Sequence, residues 1–175
     1  MRPIVTQEDK KLVGHLVKKK KQAGKHVHVY YNRKTSTGTS AYLTGKYYSA
    51  KNKKHVTYRS SYELRFFHML EEDKNVTSYE VESVKVPYKD LDGKFRNYIP
   101  DAIVSYKDGS IRICEIKPEA MLDNVIVKRK AQACKTYFKK LFEGIDLDYR
   151  YEFITEKHLF KTPTEYSLFI QQHSK

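Results

Sequence analysis

The spacing of apolar positions changes period several times along the chain, and each change marks an element. Leu12, Val13, Leu16 and Val17 recur at helical spacing. With Thr6 as a cap, Asp9 three residues on and Gly24 as a stop, they predict a helix over about residues 7–23. Residues 26–31 alternate as a strand, and residues 33–41 are polar and turn-rich. Ser60 opens a helix reaching Glu72, with Phe66, Phe67 and Leu70 as its apolar stripe. A strand is predicted over residues 81–86. Asp92-Gly93 is a turn signal, after which residues 94–106 return as a strand. Lys107-Asp108-Gly109 closes a hairpin onto Ile111–Ile116, and Pro118 ends that strand because it has no ladder donor. Asp123 or Asn124 caps a helix to about Phe142, with Gly144 beyond it. Its core stripe is Val127, Ala131, Cys134, Phe138, Leu141 and Phe142. Tyr149–Ile154 reads as a strand, and short helices follow over residues 155–160 and 164–173. The order helix, strand, strand, strand, helix, strand predicts an α/β fold with a central mixed β-sheet flanked by helices. A right-handed crossover would lay Tyr149–Ile154 parallel to the strand before Pro118.

The hairpin register decides whether this scaffold carries chemistry. A three-residue closure with Gly109 left-handed sets Tyr106 opposite Ser110 and Asp101 opposite Glu115. Residues opposite one another share a face, as do residues two apart on one strand. Asp101, Glu115 and Lys117 then project to one side. A two-residue closure would slip the register by one and turn Asp101 away, so the three-residue closure is the reading taken. Two facing carboxylates repel unless a cation lies between them, and magnesium or manganese prefers such oxygen donors. With Lys117 beside them, the set suits metal-assisted phosphodiester hydrolysis. The ordinary alternative is an exposed hairpin with an Asp–Lys pair.

Glu63 falls on the same helical stripe as Phe66, Phe67 and Leu70. A carboxylate on a buried face is costly unless paired or metal-bound, which favours a site role. Ser60-x-x-Glu63 is also a capping box, in which the glutamate reaches back to the Ser60 amide.

Length and composition fit one domain with an appendage: 175 residues, 39% hydrophobic and 13% aromatic. No stretch has the length of a membrane span, and the basic start lacks a signal peptide's apolar core. Cys114 and Cys134 lie in apolar patterns and read as buried thiols in a reducing, cytoplasmic setting. His26-Val27-His28 has no further ligand at close spacing and is not read as a metal site. Charge is distributed unevenly. The first 59 residues hold 15 Lys and Arg against 2 Asp and Glu, while the remainder balances 19 against 19. A segment of that sign beside a metal-type site points to a polyanion such as DNA or RNA. The alternative is a solvated tail. Within residues 42–59, Lys51, Lys53, Lys54 and Arg59 interleave with Tyr42, Tyr47, Tyr48 and Tyr58. That composition fits either a nucleic-acid surface or tyrosines packed on the core. On the later helix, Lys128, Gln132, Lys135 and Lys139 form a polar stripe, of which Lys128 and Gln132 are the better candidates near the site.

The chain resembles the PD-(D/E)XK nuclease superfamily from about Gly45 to Ile154. The likeness rests on Glu63 on the first helix, Pro100-Asp101 on one strand and Glu115-Ile116-Lys117 on the next. Gly45-Lys46-Tyr47, Tyr58-Arg59-Ser60-Ser61-Tyr62-Glu63, Val86-Pro87-Tyr88, Tyr98-Ile99-Pro100-Asp101 and Glu115-Ile116-Lys117-Pro118 look most like TnsA-type transposon endonucleases and phage head-completion nucleases. The resemblance implies a restriction-endonuclease-like core over residues 45–175 behind a basic extension over residues 1–44. It implies that Asp101, Glu115 and the Ile116 carbonyl bind Mg2+, with Mn2+ substituting, and that Glu63 helps hold this or a second ion. Lys117 would orient or stabilise the attacking hydroxide. Arg59, Lys128 and Gln132, with Lys51, Lys53 and Lys54, are the expected DNA contacts. The implied activity is a Mg2+-dependent DNA endonuclease leaving 5′ phosphates, encoded by a phage or mobile element. A double-strand break then calls for a homodimer, a protein partner or two visits. The alternatives are a head-completion structural protein in a virion and a DNA-binding protein that retains the fold without cutting.

Overall fold

The computed structural model describes residues 29–32 and 43–173. The helix expected over residues 7–23, the loop over 33–41 and Tyr42 lie outside the described residues, as does the start of the strand at 26–31. Three short strands come first: β1 (Val29–Asn32), β2 (Thr44–Ser49) and β3 (Lys54–Tyr58). They form an antiparallel sheet in that order, and β1 is stitched to β2 through pairs such as Asn32 with Thr44.

Helix α1 (Ser61–Glu72) follows, and the Ser60 side chain accepts from the Glu63 amide at 3.1 Å. This satisfies one of the donors that a helix start leaves free. The central sheet then assembles from β4 (Val76–Val81), β7 (Ala102–Tyr106), β8 (Ile111–Ile116) and β9 (Tyr149–Ile154). Its order is β4-β7-β8-β9. The first three strands are antiparallel and β9 runs parallel to β8, with Ile111 beside Tyr149 and Ile116 beside Ile154. This is the predicted mixed sheet. A parallel neighbour needs a crossover, supplied by the 3-10 turn Glu119–Met121 and helix α2 (Val125–Leu141). Asn124 caps α2 by accepting from the Ile126 and Val127 amides. Helices α3 (Glu156–Leu159) and α4 (Pro163–His173) close the chain. Among the described residues no helix is long and apolar enough to cross a membrane.

Two expected strands are displaced. The one predicted over residues 81–86 lies earlier, at β4, because Glu82 adopts a left-handed backbone (φ 49°) and ends the pairing. Val86 opens a separate ribbon, β5 (Val86–Lys89), paired antiparallel with β6 (Phe95–Tyr98). The long strand predicted over residues 94–106 is cut between β6 and β7. Pro100 has no amide to give a ladder, so Ile99-Pro100-Asp101 leaves the sheet and carries Asp101 to its edge.

The two faces of the central sheet bury different cores. Ala102, Val104, Cys114 and Ile116 pack on the α1 side with Leu64, Phe67 and Leu70. Ile103, Ile111 and Ile113 pack on the α2 side with Cys134, Tyr137 and Phe138. Strands β2 and β3 lie over α1, where Tyr47 and Tyr58 are completely buried. Tyr47 meets Phe67 at 6.4 Å between ring centroids. These tyrosines are therefore core residues, not a nucleic-acid surface. Both cysteines are buried free thiols.

The β7–β8 turn is the predicted three-residue closure. The Tyr106 amide donates to the Ser110 carbonyl at 3.0 Å, and Gly109 has φ 88°. A methyl group at Gly109 would meet nothing within 4 Å, so a side chain there costs backbone strain alone. Gly109→Ala is expected to lower stability by about 1–2 kcal/mol in a urea titration. An unchanged midpoint would mean that this turn does not hold the register.

Candidate active site

The register puts Asp101 and Glu115 on one face. Ala102 pairs with Cys114 and Ile103 with Ile113, so the same register sets Asp101, just beyond the ladder, opposite Glu115. Both acids lie on the α2 side, in line with Ile103 and Ile113. The strands are joined at this point by more than the ladder: Asp101 Oδ2 accepts from the Ile116 amide at 2.6 Å. The Asp101 carbonyl accepts from the Glu82 amide at 3.2 Å, which secures the chain just where it re-enters the sheet.

Glu115 is only 4% exposed, and each of its oxygens has a partner. Oε1 takes the Lys117 ammonium at 2.8 Å, and Oε2 takes the Tyr98 hydroxyl at 2.5 Å. Lys117 also donates to the Ile116 carbonyl at 3.2 Å. Its ammonium therefore sits on two of the oxygens expected to bind a metal ion. Burial raises the Asp101 pKa to about 7, and the neighbouring Glu115 charge pushes the same way; Lys117 and the Ile116 amide counter only part of this. Burial pulls the Lys117 pKa down, but Glu115 and Asp101 outweigh it, and the net shift is upward.

Glu63 reaches this site from the opposite layer, since α1 packs on the other face of the sheet. It lies close enough for its charge to act on both Asp101 and Lys117. It also serves the helix start, though one residue further back than a capping box requires. Oε2 accepts from the Arg59 amide at 2.8 Å and Oε1 from the Ser60 hydroxyl at 3.1 Å. Burial raises the Glu63 pKa against those two hydrogen bonds. Held by this cap, Glu63 does not close on the other two acids as the expected third ligand. Among the described residues, no three Asp, Glu, His or Cys side chains form a ready metal cluster. A divalent ion nonetheless fits the donor set of a buried carboxylate, a half-buried one and a carbonyl, whose negative charge a single ammonium offsets incompletely.

The expected DNA contacts separate into two groups. Arg59 stands at the rim, exposed and ion-paired with Glu82. Lys128, on the first turn of α2, pairs with Asp123 at 2.7 Å. Gln132 lines a groove of about 450 Å³ between the β5–β6 ribbon and α2, together with Lys89, Phe95 and Arg129. Lys51, Lys53 and Lys54 lie at the β2–β3 turn. Lys51 is a structural cation there. Its ammonium donates to the carbonyls of Asp73 and Val76, closing the end of α1. Lys54 pairs with Glu80 at 2.7 Å. These three do not converge on the site.

Sequence reasoning gave no role to Tyr98 or Tyr151, whose hydroxyls meet at 3.1 Å behind Glu115. It also passed over Lys130, whose ammonium lies 5.9 Å from the Tyr98 ring. Only the position of Tyr98, three residues before Asp101 at a strand end, hinted at its part.

The raised Asp101 pKa has a consequence for stability. The unfolded carboxyl ionises in the ordinary range near pH 4, whereas the folded one stays protonated to about pH 7. The folded state thus holds the extra proton between these values, and the metal-free protein loses stability as pH rises through that window. Asp101→Asn removes the ionisation. In metal-free buffer its melting temperature is expected to exceed that of the native protein by a few degrees above pH 7, with the gap narrowing towards pH 4. A gap that is constant or widens on acidification would contradict this electrostatic picture.

No significant match to the chain is found among curated proteins. A family profile described as "TnsA-like endonuclease N terminal" matches residues 73–156, just under half of the chain. The matched segment runs from the end of α1 through β9 into α3, and holds Asp101, Glu115 and Lys117 but not Glu63. Its mixed sheet and flanking helices are those of a restriction-endonuclease-like fold. Over residues 73–156 the chain is thus similar to the TnsA-like endonuclease N-terminal domain, which supports the resemblance to TnsA-type nucleases.

Proposed function

We propose that this protein is a divalent-metal-dependent DNA endonuclease, encoded by a phage or mobile element, that hydrolyses phosphodiester bonds to leave 5′ phosphates. The observation that carries the reading is the pair of sheltered carboxylates, half-buried Asp101 and buried Glu115, on one face with Lys117 against them. The similarity of residues 73–156 to the TnsA-like endonuclease N-terminal domain supports it. A protein that only bound DNA would have no use for two like charges held at this cost.

Asp101, Glu115 and the Ile116 carbonyl would hold Mg2+, with Mn2+ as a substitute. Glu63 would join them after releasing its cap, or would serve a second ion. The bound ion would supply Lewis-acid stabilisation of phosphate charge and lower the pKa of an attacking water. The chain's own residues do the remainder. Lys117, carried beside Glu115, supplies a positive charge where hydroxide or a phosphate oxygen arrives. Burial of Glu115, and the Ile116 amide on half-buried Asp101, limit competing solvent and fix the direction of their oxygens. Water adds to phosphorus in line, the bond to the 3′ oxygen breaks, and that oxygen leaves with a proton. Arg59 at the rim and Gln132 in the α2 groove are suited to contact the backbone on either side. One such site cuts one strand, so a double-strand break takes a second copy or a partner.

Incubation of supercoiled plasmid with purified protein tests the reading. Nicking is expected with Mg2+ and none with EDTA. Asp101→Ala and Lys117→Ala are each expected to slow cleavage by roughly 10³-fold without loss of fold. If the native protein cuts with neither Mg2+ nor Mn2+, while Asp101→Ala binds DNA as the native chain does, the enzyme reading fails and a binding role replaces it.

A further inference from the structure

Glu115 lies at the centre of the site, yet its orientation does not come from the sheet alone. Behind it two tyrosines from different elements meet: Tyr98, the last residue of β6, and Tyr151, in the middle of β9. Tyr98 is 4% exposed and Glu115 4% exposed, so neither group has bulk water as an alternative partner. A tyrosine hydroxyl has one proton, and a carboxylate can only accept. Tyr98 therefore spends its proton on Glu115 Oε2, at 2.5 Å. The contact of 3.1 Å between the two hydroxyls must then run from Tyr151 to the Tyr98 oxygen. The chain of donors has a single direction: Tyr151 to Tyr98 to Glu115.

That direction has a consequence at the other oxygen. With Oε2 engaged from behind, Glu115 has Oε1 left to face the site. Oε1 is the atom that holds the Lys117 ammonium at 2.8 Å, and the same ammonium reaches the Ile116 carbonyl at 3.2 Å. A cation arriving at Oε1 and the Ile116 carbonyl must displace that ammonium. A free glutamate could rotate with the departing lysine, but one anchored through Oε2 cannot.

We propose that Tyr98 is a positioning residue for divalent-cation binding: it anchors Glu115 through Oε2, presents Oε1 alone to the ion, and is itself aligned by Tyr151. The inference rests on the metal-dependent reading above and adds to it two residues that do not touch the ion. The Tyr98 ring has a second contact, the Lys130 ammonium from α2, at 5.9 Å from the ring centre. Phenylalanine would keep that contact and the packing, and would remove the hydroxyl alone.

Tyr98→Phe and Tyr151→Phe are the test, with Mn2+ as the probe and the free ion followed by electron paramagnetic resonance, in the absence of DNA. The native chain is expected to bind Mn2+, and Asp101→Ala to lose that binding. Tyr98→Phe is expected to weaken affinity about 10-fold or more, in the range for partners that orient a metal ligand. Tyr151→Phe should weaken it in the same direction but less, since one donor still reaches Glu115. Circular dichroism is expected to be unchanged for both. A purely structural tyrosine would lower the melting temperature and leave Mn2+ affinity as it was. If native protein and Asp101→Ala differ as expected but both tyrosine variants bind like the native chain, the positioning role is overturned and the metal-dependent reading stands. If the native chain itself binds no Mn2+, that reading falls and the proposal falls with it.

Discussion

Two carboxylates, half-buried Asp101 and buried Glu115, are carried to the same end of one sheet, and they repel. Most of the local architecture can be understood as a response to that repulsion. The Ile116 amide donates to Asp101, the Lys117 ammonium and the Tyr98 hydroxyl each hold one oxygen of Glu115, and the Glu82 amide secures the Asp101 backbone. These groups reduce the cost of two sheltered charges without removing it, as the raised pKa of Asp101 records. An arrangement that retains uncompensated negative charge in a sheltered position is one prepared for a cation. On the proposed reading, a bound divalent ion would offset that charge.

The placement follows from a short chain of local causes. Gly109 takes a left-handed turn, which sets β7 against β8 in one register out of two. Pro100 interrupts the preceding strand, so that Asp101 stands at the sheet's margin and not within a continuous ladder. α2 then returns the chain for β9 to run parallel to β8, which brings Tyr151 behind Glu115. On the other face, the cap at Ser60 fixes the first turn of α1 and holds Glu63 near both acids, yet directed at its own helix. The site thus draws on α1, β6, β7, β8 and β9, with Gly109, Pro100 and Ser60 turning, interrupting or capping the chain around it.

The parts that could be read from the residue pattern are those governed by short-range rules. The β7–β8 register follows from three turn residues, the limits of α2 from Asn124 and Gly144, and the parallel pairing of β9 from the helix before it. Where the reading failed, a backbone conformation intervened that the residue type does not announce. Glu82 is a non-glycine residue with φ 49°, so nothing in its identity marks the end of β4. Lys51, surrounded in sequence by other lysines, looks like one more surface charge; only the folded chain shows its ammonium on two backbone carbonyls at the end of α1. Tyr47 and Tyr58 have the composition of a nucleic-acid surface and the position of a core. Tyr151 was illegible for a different reason: its contact with Tyr98 spans more than fifty residues and depends on the sheet order.

The central claim is that Asp101, Glu115 and the Ile116 carbonyl enclose a divalent ion. A crystal of the protein grown with Mn2+, with anomalous diffraction data, addresses it most directly. The account predicts one strong anomalous peak within bonding distance of Asp101, Glu115 Oε1 and the Ile116 carbonyl, with the Lys117 ammonium moved off those oxygens. A peak elsewhere, or none at saturating Mn2+ with Lys117 still bridging Glu115 and Ile116, would contradict it.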